Sequence, residues 1–406
     1  MYSIDITEYR NDTHINIKLM LLGRQKNHFR NGESMYRVVV SFFLAVFFVT
    51  GCGKPDATLS SEDSTQPQYD LIKVDSIGVE MGDSNYVFGA IIDATYLADG
   101  RIALLDILKK KVTVFSGSGE YIGSAGREGA GPGEFVSPYS LTALSNGGFA
   151  VSDIQQGKVV FFDSSLQYER ELNGFQPMAP DHITEGSHGS IMGRRLSWYY
   201  DEDEEELYSG SEYCLWSDSV QPDIVFQENY FLHSSDDHFF CSTASSENGS
   251  FYTMPSSKEE YTVTGYTPSG DISFTIELPW ETTYLTQEEL QAARPYMIIP
   301  GPNSESTSAE LTANWSPDST RGSGYLAGLD GENRLWVKSG RGETASPVFD
   351  LYDAADGSPL GSVETTLPAI ARFWSVQVSE SGILGWDHNP DDYPRVYMLE
   401  LTETNQ

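Results

Sequence analysis

From residue 69 onward, apolar residues come in short runs that often alternate with polar ones, and each run is cut by a turn. Asp99-Gly100 joins Ile91–Leu97 to Ile102–Ile107, and Gly147-Gly148 joins Leu141–Leu144 to Phe149–Ser152. Gly189 precedes Ile191-Met192, Gly249 precedes Phe251-Tyr252, Asp330-Gly331 precedes Leu335–Val337 and Gly382 precedes Ile383–Trp386. Turn residues of this kind between alternating apolar runs are hairpin signals, because only they adopt the backbone angles that a two-residue connection needs. There are six.

A second set of turns follows one hairpin later. Gly117–Glu120 follows Val112–Phe115, Asp163–Leu166 follows Val159–Phe162, and Asp218-Ser219 follows Cys214–Trp216. Pro268–Asp271 follows Tyr261–Tyr266, and Ala355–Ser358 follows Val348–Tyr352. The sixth is missing, because the chain stops after Val396–Leu401, while an unmatched strand, Leu71–Val79, stands at the start. The pattern predicts an all-β ring of six four-stranded sheets, with the first strand of the domain completing the last sheet. Closing the ring would hide two sheet edges that an open array leaves as templates for aggregation. The longest step, Gly249 to Gly331, contains an insertion at 281–320. Within it Leu285–Arg294 reads as a short helix, with Thr286 and Glu289 as a capping box and Pro295 as its stop.

Between the first and second predicted sheets the chain reads Gly126-Arg-Glu-Gly-Ala-Gly-Pro-Gly-Glu-Phe-Val-Ser-Pro138. Its glycines allow tight turns, and its prolines prevent a ladder from running through. It resembles the inter-blade linker G-x-GPGEF-x-x-P of six-bladed β-propellers related to NHL repeats, which are common among bacterial lipoproteins. The resemblance covers one junction of the six and implies a six-bladed β-propeller spanning residues 69–406.

The N-terminal 51 residues belong to a different pattern. Met35-Tyr-Arg opens a run, Val38 to Val49, that is apolar except for Ser41. This is a basic n-region and an h-region too short for a permanent membrane span. It ends Val49-Thr50-Gly51-Cys52, which resembles a bacterial lipobox; the resemblance implies a signal peptide at 35–51, lipidation of Cys52 and a cell-envelope address. Gly53 rather than Asp after that cysteine favours the outer membrane over the inner by the family sorting rule. Residues 1–34 read as an upstream extension. Residues 52–68, rich in Ser, Thr, Asp and Pro, read as a flexible tether.

Composition narrows the function classes. The net charge of −34 over 406 residues argues against nucleic acid as a partner, since phosphate binding needs a basic face. No nucleophile elbow followed by Asp and His, H-E-x-x-H, GK[ST] phosphate loop or C-x-x-C occurs. The run Asp201–Glu206 lacks the bending glycine of a calcium loop and reads as the solvated tip of a hairpin. Cys214 and Cys241 either bridge in an oxidising compartment or stand as separate buried thiols.

Propellers bind ligands where the inner strands begin, because residues from every blade converge there. The candidates at those positions are Tyr86, Tyr139, Asp181, His182, Asp237, His238, Arg321, Arg372 and Trp374. Histidines on neighbouring blades suit a divalent metal such as Zn²⁺ but equally serve as local hydrogen-bonding groups. Related six-bladed propellers include lactonases and lyases with Ca²⁺ or Zn²⁺ in the channel, yet their ligand sets find no residue-by-residue match here. The sequence therefore predicts a monomeric, lipid-anchored binding module without an organic cofactor, holding a small molecule, peptide or envelope protein on its channel face. A channel-metal hydrolase or lyase and a structural envelope scaffold are the alternatives.

Overall fold

The computed structural model describes residues 69–233, 241–257, 259–287, 296–299, 307–310, 321–341, 346–387 and 392–403, all within the compact unit Glu62–Gln406. The signal segment, Cys52, the tether and residues 288–294 of the expected helix lie outside the described residues.

Alternating apolar runs and tight turns give antiparallel four-stranded sheets in chain order. After β1 (Tyr69–Ile77), the first blade is β2 (Ile91–Tyr96), β3 (Ile102–Asp106), β4 (Lys111–Phe115) and β5 (Tyr121–Ala125). The second is β6 (Pro138–Ala143), β7 (Phe149–Asp153), β8 (Lys158–Phe162) and β9 (Tyr168–Asn173). The third is β10 (Asp181–Glu185), β11 (Ile191–Asp201), β12 (Glu206–Trp216) and β13 (Ile224–Leu232). The fourth is β14 (Cys241–Ser245), β15 (Phe251–Pro255), β16 (Tyr261–Tyr266) and β17 (Ile272–Leu278). The insertion contributes an antiparallel hairpin, β18 (Tyr296–Ile299) and β19 (Thr307–Glu310). The fifth blade is β20 (Gly324–Leu329), β21 (Arg334–Ser339), β22 (Val348–Asp353) and β23 (Pro359–Glu364). The sixth takes β24 (Ser375–Ser379), β25 (Gly382–Trp386) and β26 (Val396–Glu403) from the end of the chain.

Its fourth strand is β1. The pairing is antiparallel and runs from Tyr69↔Glu403 through Ile72↔Glu400 to Ile77↔Val396, with a bulge between Lys73 and Asp75. The strand starts and stops two residues earlier than the sequence pattern suggests. Gly78 ends it: its φ is +135°, and a Cβ there would lie 2.6 Å from the Pro394 carbonyl oxygen. Leu71 and Ile77 are buried, while the intervening Lys73–Ser76 face solvent. The run Asp201–Glu206 forms the expected hairpin tip, with Asp201 opposite Glu206.

Each sheet is apolar on both faces, so no blade buries its own core. Six apolar clusters solve this, one at each junction. Phe135, Phe149 and Val112 fill the seam between blades one and two, and Trp216, Phe175 and Val159 that between two and three. Phe251, Phe226 and Tyr213 join three to four, Met254, Tyr261 and Val337 four to five, and Trp336, Phe349 and Trp374 five to six. The last cluster closes the ring: Phe115, Ile102 and Leu104 of the first blade pack with Leu384, Trp386 and Met398 of the sixth. The molecule is a six-bladed β-propeller.

The glycine-rich linker works as a plug. Phe135 is fully buried between blades one and two, and a Cβ on Gly126, whose φ is +78°, would fall 2.2 Å from that ring. The Glu134 carboxylate accepts the Gly131 N–H at 2.9 Å and the Arg127 Nε–H at 2.8 Å. Buried Asp153 then anchors the chain, accepting N–H groups from Val136 (2.6 Å), Ser137 (3.1 Å) and Gln156 (3.0 Å). Asp106 repeats this device one blade earlier, with the N–H groups of Gly89, Ala90, Leu108 and Lys109. Such carboxylates neutralise backbone donors that would otherwise be buried unpaired.

Removing residues 69–77 should abolish cooperative unfolding or lower the Tm far more than removing residues 53–68, since only the former completes a sheet. Leu71→Ala alone should cost about 2–5 kcal/mol in urea denaturation. Equal melting of the two deletions would contradict the clasp.

Candidate ligand channel

The first strand of each blade faces the axis, and β2, β6, β10, β14, β20 and β24 contact one another in ring order. They enclose a central cavity of about 1490 Å³. One end, called the mouth below, is where these strands begin; the insertion and the β11–β12 tip belong to connections on that side. Tyr139, His182, Arg321 and Arg372 line the cavity there, and Glu185, Glu247, Asp330 and Glu380 line it toward the other end.

Neighbouring inner strands are stitched by side chains. Asp93 Oδ2 accepts the Leu141 N–H at 2.8 Å and Ser140 Oγ accepts the Ile183 N–H at 3.0 Å. Ser242 Oγ accepts the Leu326 N–H at 2.8 Å and the Tyr325 hydroxyl accepts the Val376 N–H at 3.1 Å. Each bonded amide lies one residue after the equivalent position on the next blade, so the ring positions are Asp93, Ser140, His182, Ser242, Tyr325 and Ser375.

His182 breaks the repeat. Its own backbone is left-handed, with φ +48°, at a break in the β10–β11 register between Asp181 and Thr184. Here the Thr243 hydroxyl donates instead to the His182 carbonyl, at 3.2 Å. Bulges re-aim side chains, and strained backbone of this kind concentrates at functional sites. The imidazole has no hydrogen bond among the described residues; it meets the Tyr139 ring edge-on, with centroids 6.4 Å apart. It is open to channel water yet walled by protein on most sides. That burial pulls its pKa below the ordinary histidine range, against the pull of the Asp181 charge. Asp181 itself is committed to a bidentate pair with Arg194, whose Nε–H bond is 2.7 Å.

Lys338, at the end of the apolar stretch Leu335–Val337, is 4% exposed. Its ammonium donates to the Trp374 carbonyl at 2.7 Å and the Ala371 carbonyl at 3.4 Å, beneath the 3₁₀ turn Ala369–Phe373. Burial, with a smaller contribution from the nearby Arg372 charge, pushes its pKa down to about 7. Asp93 moves the other way: burial raises it to about 7, opposed by the Leu141 and Ala94 N–H groups.

Several expected positions fall elsewhere. Tyr86 is not at the channel: it packs on Phe115, and its hydroxyl accepts the N–H of Tyr121 on an outer strand. Trp374 is buried between blades five and six, stacked on Tyr397 at 4.1 Å; only its carbonyl serves the mouth. Cys214 and Cys241 are free thiols. Side chains alternate along β12, so Tyr213 reaches Cys241 on blade four while Cys214 points to the seam with blade two. Asp237 and His238 lie outside the described residues. Among the described residues, no three His, Cys, Asp or Glu side chains come together as a metal-binding set. The inner-strand ring and Lys338 escaped sequence reading, although Asp93 and Lys338 are charges set within apolar strand runs.

A family model described as a 6-bladed beta-propeller, DUF5128, matches residues 57–204, which reach from before β1 to the β11–β12 turn. No curated protein matches the sequence. Among solved structures, the chain is similar to a member of the DUF4221 family from Bacteroides vulgatus, with a TM-score of 0.47 and 10% identity over 84% of this chain and 100% of that one. A candidate exported protein from Bacteroides fragilis gives a TM-score of 0.45 and 12% identity over 82% of this chain and 96% of that one. Virginiamycin B lyase from Staphylococcus aureus gives 0.37 and 11% over 82% and 100%.

Because the unfolded chain holds the Lys338 proton to about pH 10 and the folded chain releases it near 7, the unfolded state binds more protons between those values. Stability from this group therefore rises with pH across that window. The Tm of the native sequence should climb relative to Lys338→Met by a few °C (on the order of 2–4 °C) between pH 7 and 9; a constant difference would contradict the burial of an ammonium here.

Proposed function

We propose that this chain is a lipid-anchored, extracytoplasmic binding propeller that holds its ligand in the central channel. The observation that carries the reading is the channel itself. Residues from all six blades converge on a cavity of about 1490 Å³ lined by both polar and apolar side chains, larger than the ~300–1,000 Å³ of ordinary small-molecule pockets. Rigid inner strands, cross-stitched from blade to blade, hold its walls at fixed positions, which favours recognition over conformational work. The lipobox at Val49–Cys52 supports the anchor and the envelope address, and Gly53 favours the outer membrane.

Gln377 lines the channel from β24, between the buried Val376 and Val378. Its replacement by Trp would obstruct the channel without touching a blade seam. Ligands found by thermal shift in a small-molecule and peptide library should lose at least tenfold in affinity with Gln377→Trp while the apo Tm stays within about 2 °C. Ligands that bind both proteins equally would place recognition outside the channel. For the anchor, Cys52→Ser should move the protein from the membrane to the soluble fraction; continued sedimentation with membranes would count against lipidation.

A further inference from the structure

Blade three is built differently from the others. Strands β11 and β12 are 11 residues each, against five or six for the second strand of every other blade. The first strand, β10, pairs with β11 only as far as Arg194. Residues 195–201 run on for about 20 Å, and among the described residues their outer edge pairs with no strand. An open edge is a row of backbone donors and acceptors that another chain can extend.

The two faces of this flap differ. Directly opposed residues share a face, so Tyr199 and Tyr208 lie on one, while Tyr200 and Leu207 lie on the other with Trp198. On the first face, Tyr199 stacks on Tyr208 with ring centroids 5.0 Å apart and meets Tyr230 edge-on. Tyr208 and Tyr230 donate their hydroxyls to Glu204 and Glu212. These contacts stiffen the flap. On the second face, Trp198, Tyr200 and Leu207 are 43%, 57% and 36% exposed. The propeller core does not use them, since neither seam cluster of blade three includes any of the three.

The charge around this apolar face selects its partner. Residues 201–206 are six consecutive carboxylates at the flap's tip. Asp201 accepts the N–H groups of Asp203 and Glu204 at 2.9 and 3.1 Å. The basic side chain of the flap, Arg195, is paired with Glu212 and not with the tip. Exposed Trp and Tyr also suit a lipid interface, but this run of negative charge opposes an anionic bilayer. The net charge of −34 likewise opposes a second copy of the chain. Cationic side chains are attracted by carboxylates and by aromatic faces alike.

We infer that the flap captures an extended basic segment of a partner protein. The segment adds to the open edge of β11 as a strand and lays apolar side chains on Trp198, Tyr200 and Leu207. Its Lys or Arg side chains meet the carboxylates of the tip. The site is separate from the channel and does not depend on what the channel holds.

The test uses the full chain and three ten-residue peptides, alternating Lys-Val, Lys-Gly and Glu-Val, titrated by fluorescence anisotropy. Lys-Val should bind, Lys-Gly at least tenfold more weakly and Glu-Val more weakly still. Trp198→Ala combined with Tyr200→Ala should lose tenfold or more. Changing Glu202, Asp203, Glu205 and Glu206 to their amides should do the same. Changing the exposed Glu80, Glu120, Glu169 and Glu277 to Gln instead should alter affinity less than twofold, and Gln377→Trp should leave it unaltered. Bound Lys-Val should also slow hydrogen exchange at the amides of residues 197–201. Unchanged melting of each variant guards against misfolding. No binding by Lys-Val, equal binding of Lys-Gly, indifference to either flap variant or unslowed exchange would overturn the inference. So would self-association of the chain through the flap, or Trp198-dependent binding to vesicles of phosphatidylcholine and phosphatidylserine.

Discussion

The structure depends on mutual burial between blades. A four-stranded sheet with apolar side chains on both faces cannot exist alone in water, and here each face is covered only by the next sheet. The constraint is satisfied for every blade at once when the ring closes, and closure is where the chain must solve a covalent problem, because the first and last strands of the propeller meet there. It does so by lending β1 to the last sheet: Leu71 enters the cluster between blades five and six, and Ile77 the cluster between six and one. One strand thereby supports two seams.

Closure also makes the channel. Inner strands held at fixed angles by the seams come close enough for Asp93, Ser140, Ser242 and Tyr325 to bond amides of the neighbouring strand, which spares those amides from being buried unpaired. The same regularity makes a departure informative. At His182 the stitch is made by another group, the backbone turns left-handed, and the imidazole is freed toward the lumen. A non-glycine residue held in left-handed backbone is costly, and such strain concentrates at sites that use it.

Much of this was legible in the sequence because turns are chemically explicit. Asp99-Gly100, Gly147-Gly148 and their counterparts mark hairpins through backbone angles that few residues adopt, and the strand surplus at one end matching the deficit at the other revealed the clasp. Side-chain direction was less legible. Tyr86 and Trp374 stand at the right distance before an inner strand, but packing against Phe115 and Tyr397 turns both away from the axis. Whether Cys214 and Cys241 bridge stayed open in the sequence, because spacing carries no record of which face of β12 Cys214 occupies or that β14 presents Cys241 to Tyr213 instead. Lys338 was hidden for a different reason: its neighbours are apolar, and its partners are carbonyls that come into place only when the 3₁₀ turn before β24 folds over it.

The most direct measurement of this account is native-state hydrogen exchange along the closing sheet. If the ring is one cooperative unit sealed by β1, amides of Tyr69–Ile77 and of Val396–Glu403 that pair with one another exchange together, in the slowest class, with the free energy of global unfolding. Exchange of the β1 amides through a separate low-energy opening, while the inner strands of the other blades remain protected, would show that the circle holds without its clasp and would contradict the account.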